Sequence, residues 1–220
     1  AEIEKNDFDI LILHQLPDSK GEGNNLTTRL LSKIKPTLFI LGAQSDISRF
    51  NGMQEVLGIS GESGKIDKVT AQFNPNFARY ISEQNVRDAI SKLPPVITPY
   101  GEYKSFPGSD IILFQKVGSV LTDRPLLATN TNIARKSAVL TAEGLWQWRM
   151  EDYYMNESNY AVDDYILKTL QLISVKDDKV KLRVYTTQNE IDLDESVVFK
   201  SEAYDDLYEK IYKVNVALSI

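Results

Sequence analysis

Apolar residues run unbroken through FDILILH at 8–14, the pattern of a strand covered on both faces. A polar loop, QLPDSKGEGNN, follows. Asn25 is then placed to cap a short helix, LTTRLLSKI, whose Leu26, Leu30, Leu31 and Ile34 share one face before Pro36 stops it. TLFILG supplies a second apolar strand. Strand, helix and strand within about 35 residues predict a right-handed βαβ crossover in a parallel sheet. SDISRFNGMQEVL, at 45–57, reads as a further helix opened by Ser45 or Asp46, with Gly52 as its weak point.

Residues 58–109 are rich in glycine and proline and are expected to be mostly long loops, with one strand at 66–74 and a helix at 83–93. The grammar turns to β from 110 to 143. There DIILFQKV, PLLATNTN and SAVLTAE are short apolar or alternating runs, with turns at Gly118 and at 132–135, and they predict an antiparallel extension. GLWQWRMEDYYM opens an aromatic helix. A second helix over 160–175 aligns Val162, Tyr165, Ile166, Thr169, Leu170 and Ile173 as the stripe that packs on the sheet. Past KDDK, KVKLRVYTT, SVVFKSEAY and KVNVALSI alternate with period two. Three such strands predict part of a β-sandwich at 178–220, after an α/β domain at 1–177; a full Greek-key sandwich needs about seven.

Composition narrows the chemistry. Hydrophobic residues at 42% supply a core, and 31 acidic against 25 basic residues set up no field for nucleic acid or an anionic membrane. With no cysteine and one histidine, thiolate nucleophiles, disulfides, zinc–thiolate clusters and multi-histidine centres are all excluded, and neither a metal nor a cofactor is expected. No stretch approaches the roughly 20 apolar residues that cross a bilayer, so the chain is expected to be soluble as it stands. GISGESG, at 58–64, matches no phosphate-binding fingerprint and reads as a loop. Ser32 and Lys35 have S-x-x-K spacing but lack companion motifs.

Two stretches carry a family likeness: DILILHQLP with PTLFILGAQSDISRFN, and KSAVLTAEGLWQWRMEDY with DDYILKTLQLISVKDDK. They resemble the class I glutamine amidotransferase-like domain of large bacterial membrane-anchored proteins of the BatA and von Willebrand factor A type. The run from Gly144 to Arg149 is its most specific part. The resemblance spans roughly residues 8 to 205 and matches only in outline in the middle third. It implies a three-layer flavodoxin-like α/β fold, a β-sandwich beside it, a periplasmic setting and a membrane-anchored parent chain. The chain opens a few polar residues before an apolar strand and ends on one, KVNVALSI, so both ends read as cut from something longer, and the resemblance, which implies strands ahead of residue 1, supports this. Without it, a cytoplasmic α/β protein is the reading.

Amidotransferase chemistry needs a cysteine at a strand-to-helix elbow and a histidine oriented by a carboxylate. In this chain the elbow falls in FILGAQSD, with Leu41 or Gly42 at the nucleophile position. LTAEGLW offers Glu143 but no histidine. No catalytic residue is therefore assigned.

What remains is a candidate crevice. His14 and Gln15 end the first strand, and Gln44, Ser45 and Asp46 end the next, on the edge where open α/β sheets take ligands. A structural, hydrogen-bonded histidine and simple helix capping are the default readings of these residues. Trp146 and Trp148 are core residues by default. An exposed tryptophan beside Arg149 would instead anchor a protein interface. EDYYMNESNYAVDDY lacks the spacing of a calcium loop and reads as a solvated helix junction. The leading expectation is a non-catalytic binding or scaffolding domain whose partner is a protein or another domain of its parent chain. The alternative is a hydrolase in which His14 acts as base with Glu143 or Asp46.

Overall fold

A computed structural model describes residues 7–62, 64–175, 181–186 and 198–215. It divides into two compact units, Ala1–Phe77 with Ser82–Ser174, and Ala78–Ile81 with Val175–Ile220.

The larger unit is α/β. Its seven-stranded mixed sheet has the order β1-β2-β9-β8-β7-β4-β5, flanked by helices. The strands are β1 (Leu11–His14), β2 (Thr37–Ile40), β4 (Ile66–Phe73), β5 (Val96–Pro99), β7 (Ser109–Val117), β8 (Val120–Asn130) and β9 (Ser137–Leu140). Strands β3 (Leu57–Ser60) and β6 (Glu102–Ser105) form a separate antiparallel pair. The helices are α1 (Asn24–Leu31), α2 (Ile47–Asn51), α3 (Gln84–Lys92), α4 (Leu145–Asn156) and α5 (Tyr160–Ser174).

β1, β2 and β9 are parallel, as the strand–helix–strand reading requires. The other pairings in this sheet are antiparallel: β7–β8 and β8–β9 belong to the extension expected over 110–143, whereas β4–β7 and β4–β5 were not foreseen, and β9, expected within that extension, is also parallel to β2. Phe39, Leu41, Phe50, Val56, Leu57 and Val139 pack together in the core, and the Phe39 and Phe50 rings meet edge to face at 5.6 Å. Burying such a cluster is the dominant favourable term in this unit's stability.

Several local expectations are corrected. β1 is not covered on both faces: it lies at the edge of the sheet, with Ile12 50% exposed, while β2 is buried throughout. An apolar run cannot say which strand ends up at an edge, because edge position is set by the pairing of distant segments. Asn25 caps nothing. It lies inside α1, whose N-cap is Gly23, because Asp18 gathers the loop ahead of the helix by accepting from the backbone N–H groups of Lys20, Gly21 and Gly23. Those three hydrogen bonds also hold the Asp18 carboxyl below its usual range, the Gly23 amide contributing most. On α5, Ala161 and Leu172 are buried, whereas Ile166 and Leu170 of the expected stripe are only partly covered.

The helix expected over 45–57 spans only Ile47–Asn51 and stops at Gly52. Side chains then take over the backbone. The Gln54 Oε1 accepts from Val56 and Leu57 N–H, and the Asn51 amide pairs with both backbone groups of Ile59. These contacts turn 53–56 into a bend and start β3, so GISGESG is strand in its first half rather than loop.

β3, β5 and β6 were not legible in the sequence. They occupy part of a region expected to be long loops. The reason is backbone proximity: a Cβ on Gly61 would lie 2.2 Å from the Tyr100 carbonyl oxygen, and one on Gly101 would lie 2.5 Å from that of Ser60. Neither neighbour is a side chain that can rotate away. Gly61→Ala should therefore cost about 2–3 kcal/mol. Gly58→Ala, where nothing lies within 4 Å, should stay within about 0.5 kcal/mol. Equal denaturation midpoints for the two variants would contradict this packing.

The smaller unit holds a three-stranded antiparallel sheet, β10 (Leu182–Thr186), β11 (Phe199–Tyr204) and β12 (Lys210–Ile211). Two of the three expected strands are present in outline. Most of the third, KVNVALSI, lies outside the described residues. Asp206 ties this unit together, pairing with Arg79 and Lys181. Burial pushes the Asp206 carboxyl up, but the hydrogen bonds and charges of Lys181 and Arg79 outweigh it and leave the group below its usual range. No helix among the described residues is long and apolar enough to cross a membrane.

Candidate functional site

The carboxyl ends of β1, β2 and β9 bring five of the six predicted crevice residues together: His14, Gln15, Gln44, Ser45 and Glu143. Asp46 starts α2 beside them. β1 ends at His14, and Gln15 turns the chain with φ of 53°, a left-handed conformation that non-glycine residues rarely adopt. The turn is held by the Gln15 N–H, which donates to the Ile40 carbonyl at 2.7 Å.

β2 runs into Gly42, Ala43 and Gln44, whose three successive backbone N–H groups face the crevice. Such a row of donors is the kind of concavity that holds anions. Here each donor already has an acceptor from this chain. Gly42 donates to the Ser45 hydroxyl at 3.0 Å, Ala43 to the Glu143 carboxylate at 3.1 Å, and Gln44 to the Gln15 side-chain carbonyl at 2.9 Å. Glycine at 42 is what allows this closure. A Cβ there would lie 2.1 Å from a Glu143 carboxylate oxygen and 2.7 Å from the Gln15 amide carbon.

Glu143 is fixed from behind as well. Its N–H donates to the Ile97 carbonyl at 3.0 Å and its carbonyl accepts from the Ile97 N–H at 3.3 Å, so β5 clamps the residue at the end of β9. The clamp aims the carboxylate at Ala43.

His14 departs from its default reading. It is exposed, and its ring makes no hydrogen bond or ion pair with any other described residue. It shares a hollow of 210 Å³ with Gln15, Glu143, Trp146 and Gln147, yet the only carboxylate there is bonded to Ala43. A general base needs its orienting partner within hydrogen-bond reach, and among the described residues His14 has none.

Of the two capping residues, Asp46 is the cap: its carboxylate accepts from the Arg49 N–H at 3.1 Å and pairs with the Arg49 side chain at 3.1 Å. Ser45 instead holds Gly42. A second hollow of 330 Å³, lined in part by Ser45, Asp46, Ser48, Lys65 and Tyr100, lies beside the same loop. Among the described residues no three His, Asp or Glu side chains converge as a metal site. Ser32 and Lys35 are occupied separately, Ser32 donating to the Arg29 carbonyl and Lys35 pairing with Asp7.

The two tryptophans part company. Trp148 is 3% exposed and donates its indole N–H to the Pro94 carbonyl at 2.9 Å, whereas Trp146 is 65% exposed. Arg149 is paired with Asp163 at 2.9 Å. Around Trp146 the sequence reading missed Met150, Tyr153 and Tyr154, which share its side of α4 and are largely exposed. Their spacing of four, seven and eight residues from Trp146 is a helical face. That signal was present but masked, because Trp148 and Met155 put large apolar residues on the opposite side too.

No family model and no curated protein matches the chain. Among solved structures it is similar to two proteins of Salmonella typhimurium, each named a cytoplasmic protein. One has a TM-score of 0.49 at 16% identity, over 78% of this chain and 73% of that one. The other scores 0.48 at 13% identity, over 76% and 72%. A beta-galactosidase from Bacillus circulans sp. alkalophilus aligns over 83% of this chain and 26% of its own, with a TM-score of 0.42 and 8% identity. At these scores and identities nothing about function passes from them to this chain.

Proposed function

We propose that this chain is a non-catalytic binding or scaffolding domain of a bacterial cell-envelope protein, a degenerate amidotransferase-like domain of flavodoxin-like descent followed by strands of a β-sandwich. The observation that carries the binding reading is the bare aromatic face of α4, Trp146 with Met150, Tyr153 and Tyr154. Contiguous apolar surface on a helix, rimmed by polar groups, marks an interaction site more often than chance exposure does. The non-catalytic reading is supported at the crevice. A reacting oxyanion would need the 42–44 amides, and Ser45, Glu143 and Gln15 already hold them. The envelope setting rests on the sequence resemblance alone.

The test has two arms. Purified protein incubated with glutamine should release no ammonia above a buffer control; release would sink the non-catalytic reading. In a pull-down from bacterial membrane extracts, a retained protein should be lost on Trp146→Ala and kept on Val120→Ala, an equally exposed apolar position on the β7–β8 hairpin. Retention unaffected by Trp146→Ala would move the interface elsewhere.

A further inference from the structure

The face of α4 is specific enough in charge to say what covers it. Trp146, Arg149, Met150, Tyr153 and Tyr154 outline an open hollow of 920 Å³ that reaches Glu157 at the C-terminal end of the helix. The cation that lines it is already engaged, Arg149 with Asp163. Asp152 is turned inward, accepting from Val162 and Asn156. Glu157, which lines the hollow, has no cationic partner among the described residues. The face thus combines electron-rich rings with one uncompensated carboxylate, Glu157, and its lining cation, Arg149, is already paired. A second copy would set the same rings and carboxylate against each other, and an acidic partner would be repelled.

We infer that this face docks a basic, amphipathic segment of a protein partner. Its Lys or Arg side chains lie over the Trp146, Tyr153 and Tyr154 rings and pair with Glu157, and its apolar side chains cover Met150. A cation over an aromatic ring is favoured most where the partner's approach removes water, as an exposed hollow of this kind permits. This inference rests on the interface reading of α4 and adds the chemistry of the partner.

The probes are two fluorescently labelled amphipathic helical peptides with identical leucine faces. One has a lysine and arginine polar face, the other a glutamate polar face. Each is titrated into the intact chain by fluorescence anisotropy, with sedimentation velocity run in parallel. The basic peptide should bind and the acidic one should not. Tyr154→Ala should weaken binding about tenfold, and Glu157→Gln about threefold. Both are surface changes, and circular dichroism should report an unchanged fold. Val120→Ala should have no effect.

Failure of the basic peptide to bind, equal binding of both peptides, or basic binding insensitive to Tyr154→Ala and Glu157→Gln overturns the inference. So does a concentration-dependent dimer abolished by Tyr154→Ala, which would make a second copy the occupant. In each of these cases, loss of the extract partner on Trp146→Ala would still leave the interface reading standing.

Discussion

Trp148→Ala is expected to lower the unfolding free energy by about 3–5 kcal/mol, while Trp146→Ala, two residues away on the same helix, stays within about 0.5 kcal/mol. The difference is burial. Trp148 is almost fully enclosed and its indole N–H satisfies the Pro94 carbonyl just ahead of β5. Truncation leaves a cavity and strips a backbone acceptor of its donor, the second of which alone costs about 1–3 kcal/mol if water cannot reach the site. Trp148→Phe separates the two contributions, since it keeps most of the ring volume and removes only the donor. Urea denaturation followed by circular dichroism reads all three variants. Comparable losses for Trp146→Ala and Trp148→Ala would mean that the two faces of α4 are misassigned, and with them the exposed aromatic surface.

Asp152→Ala should cost about 2–4 kcal/mol, although no cation pairs with this side chain among the described residues. Asp152 is 1% exposed. Its carboxyl accepts from the Val162 backbone N–H at 3.1 Å and from the Asn156 side-chain amide at 2.8 Å. The first of these is one of the donors that the opening turn of α5 cannot satisfy within its own helix. Asp152 thus acts as a cap supplied from the preceding helix, and it sets how α4 hands over to α5. Alanine leaves that donor buried and unpaired. Asn156→Ala, which removes only the second hydrogen bond, should cost no more than about 1 kcal/mol. Hydrogen exchange at the Val162 amide gives a local readout: protection there should fall in Asp152→Ala well before global unfolding. Unchanged protection would show that the cap does not hold the junction.

Both expectations depend on features that the residue pattern signals unevenly. EDYYMNESNYAVDDY reads as a solvated acidic junction, and for Glu157 and most of its neighbours that is what it is. Asp152 is the exception. A carboxyl is normally assigned to solvent from sequence, and nothing local tells that its partners lie four and ten residues ahead. The tryptophans show the same limit. Their spacing of two puts them on different sides of a helix, but which side meets the core depends on where β5 and Pro94 run. The crevice was legible as a location, because strand ends in a parallel α/β sheet converge. Its state was not. Closure by Ser45, Gln15 and Glu143 rests on backbone donors, which carry no side-chain signature, and on Gly42, whose missing Cβ makes room for two side chains from distant segments.

By itself the sequence determined the α/β class, the parallel start of the sheet, the antiparallel extension and the two C-terminal helices of the larger unit. It also excluded thiolate and multi-histidine chemistry. Each of these follows from local periodicity or from residue counts, which need no knowledge of what lies across the fold. Tertiary structure alone decided that β1 is an edge strand, that β3, β5 and β6 exist, that Glu143 faces Ala43 rather than His14, and that Trp146 is bare while Trp148 is enclosed. Each of those depends on contacts between segments tens of residues apart, where close backbone approach and the sharing of hydrogen-bond donors override what any short window of residues prefers.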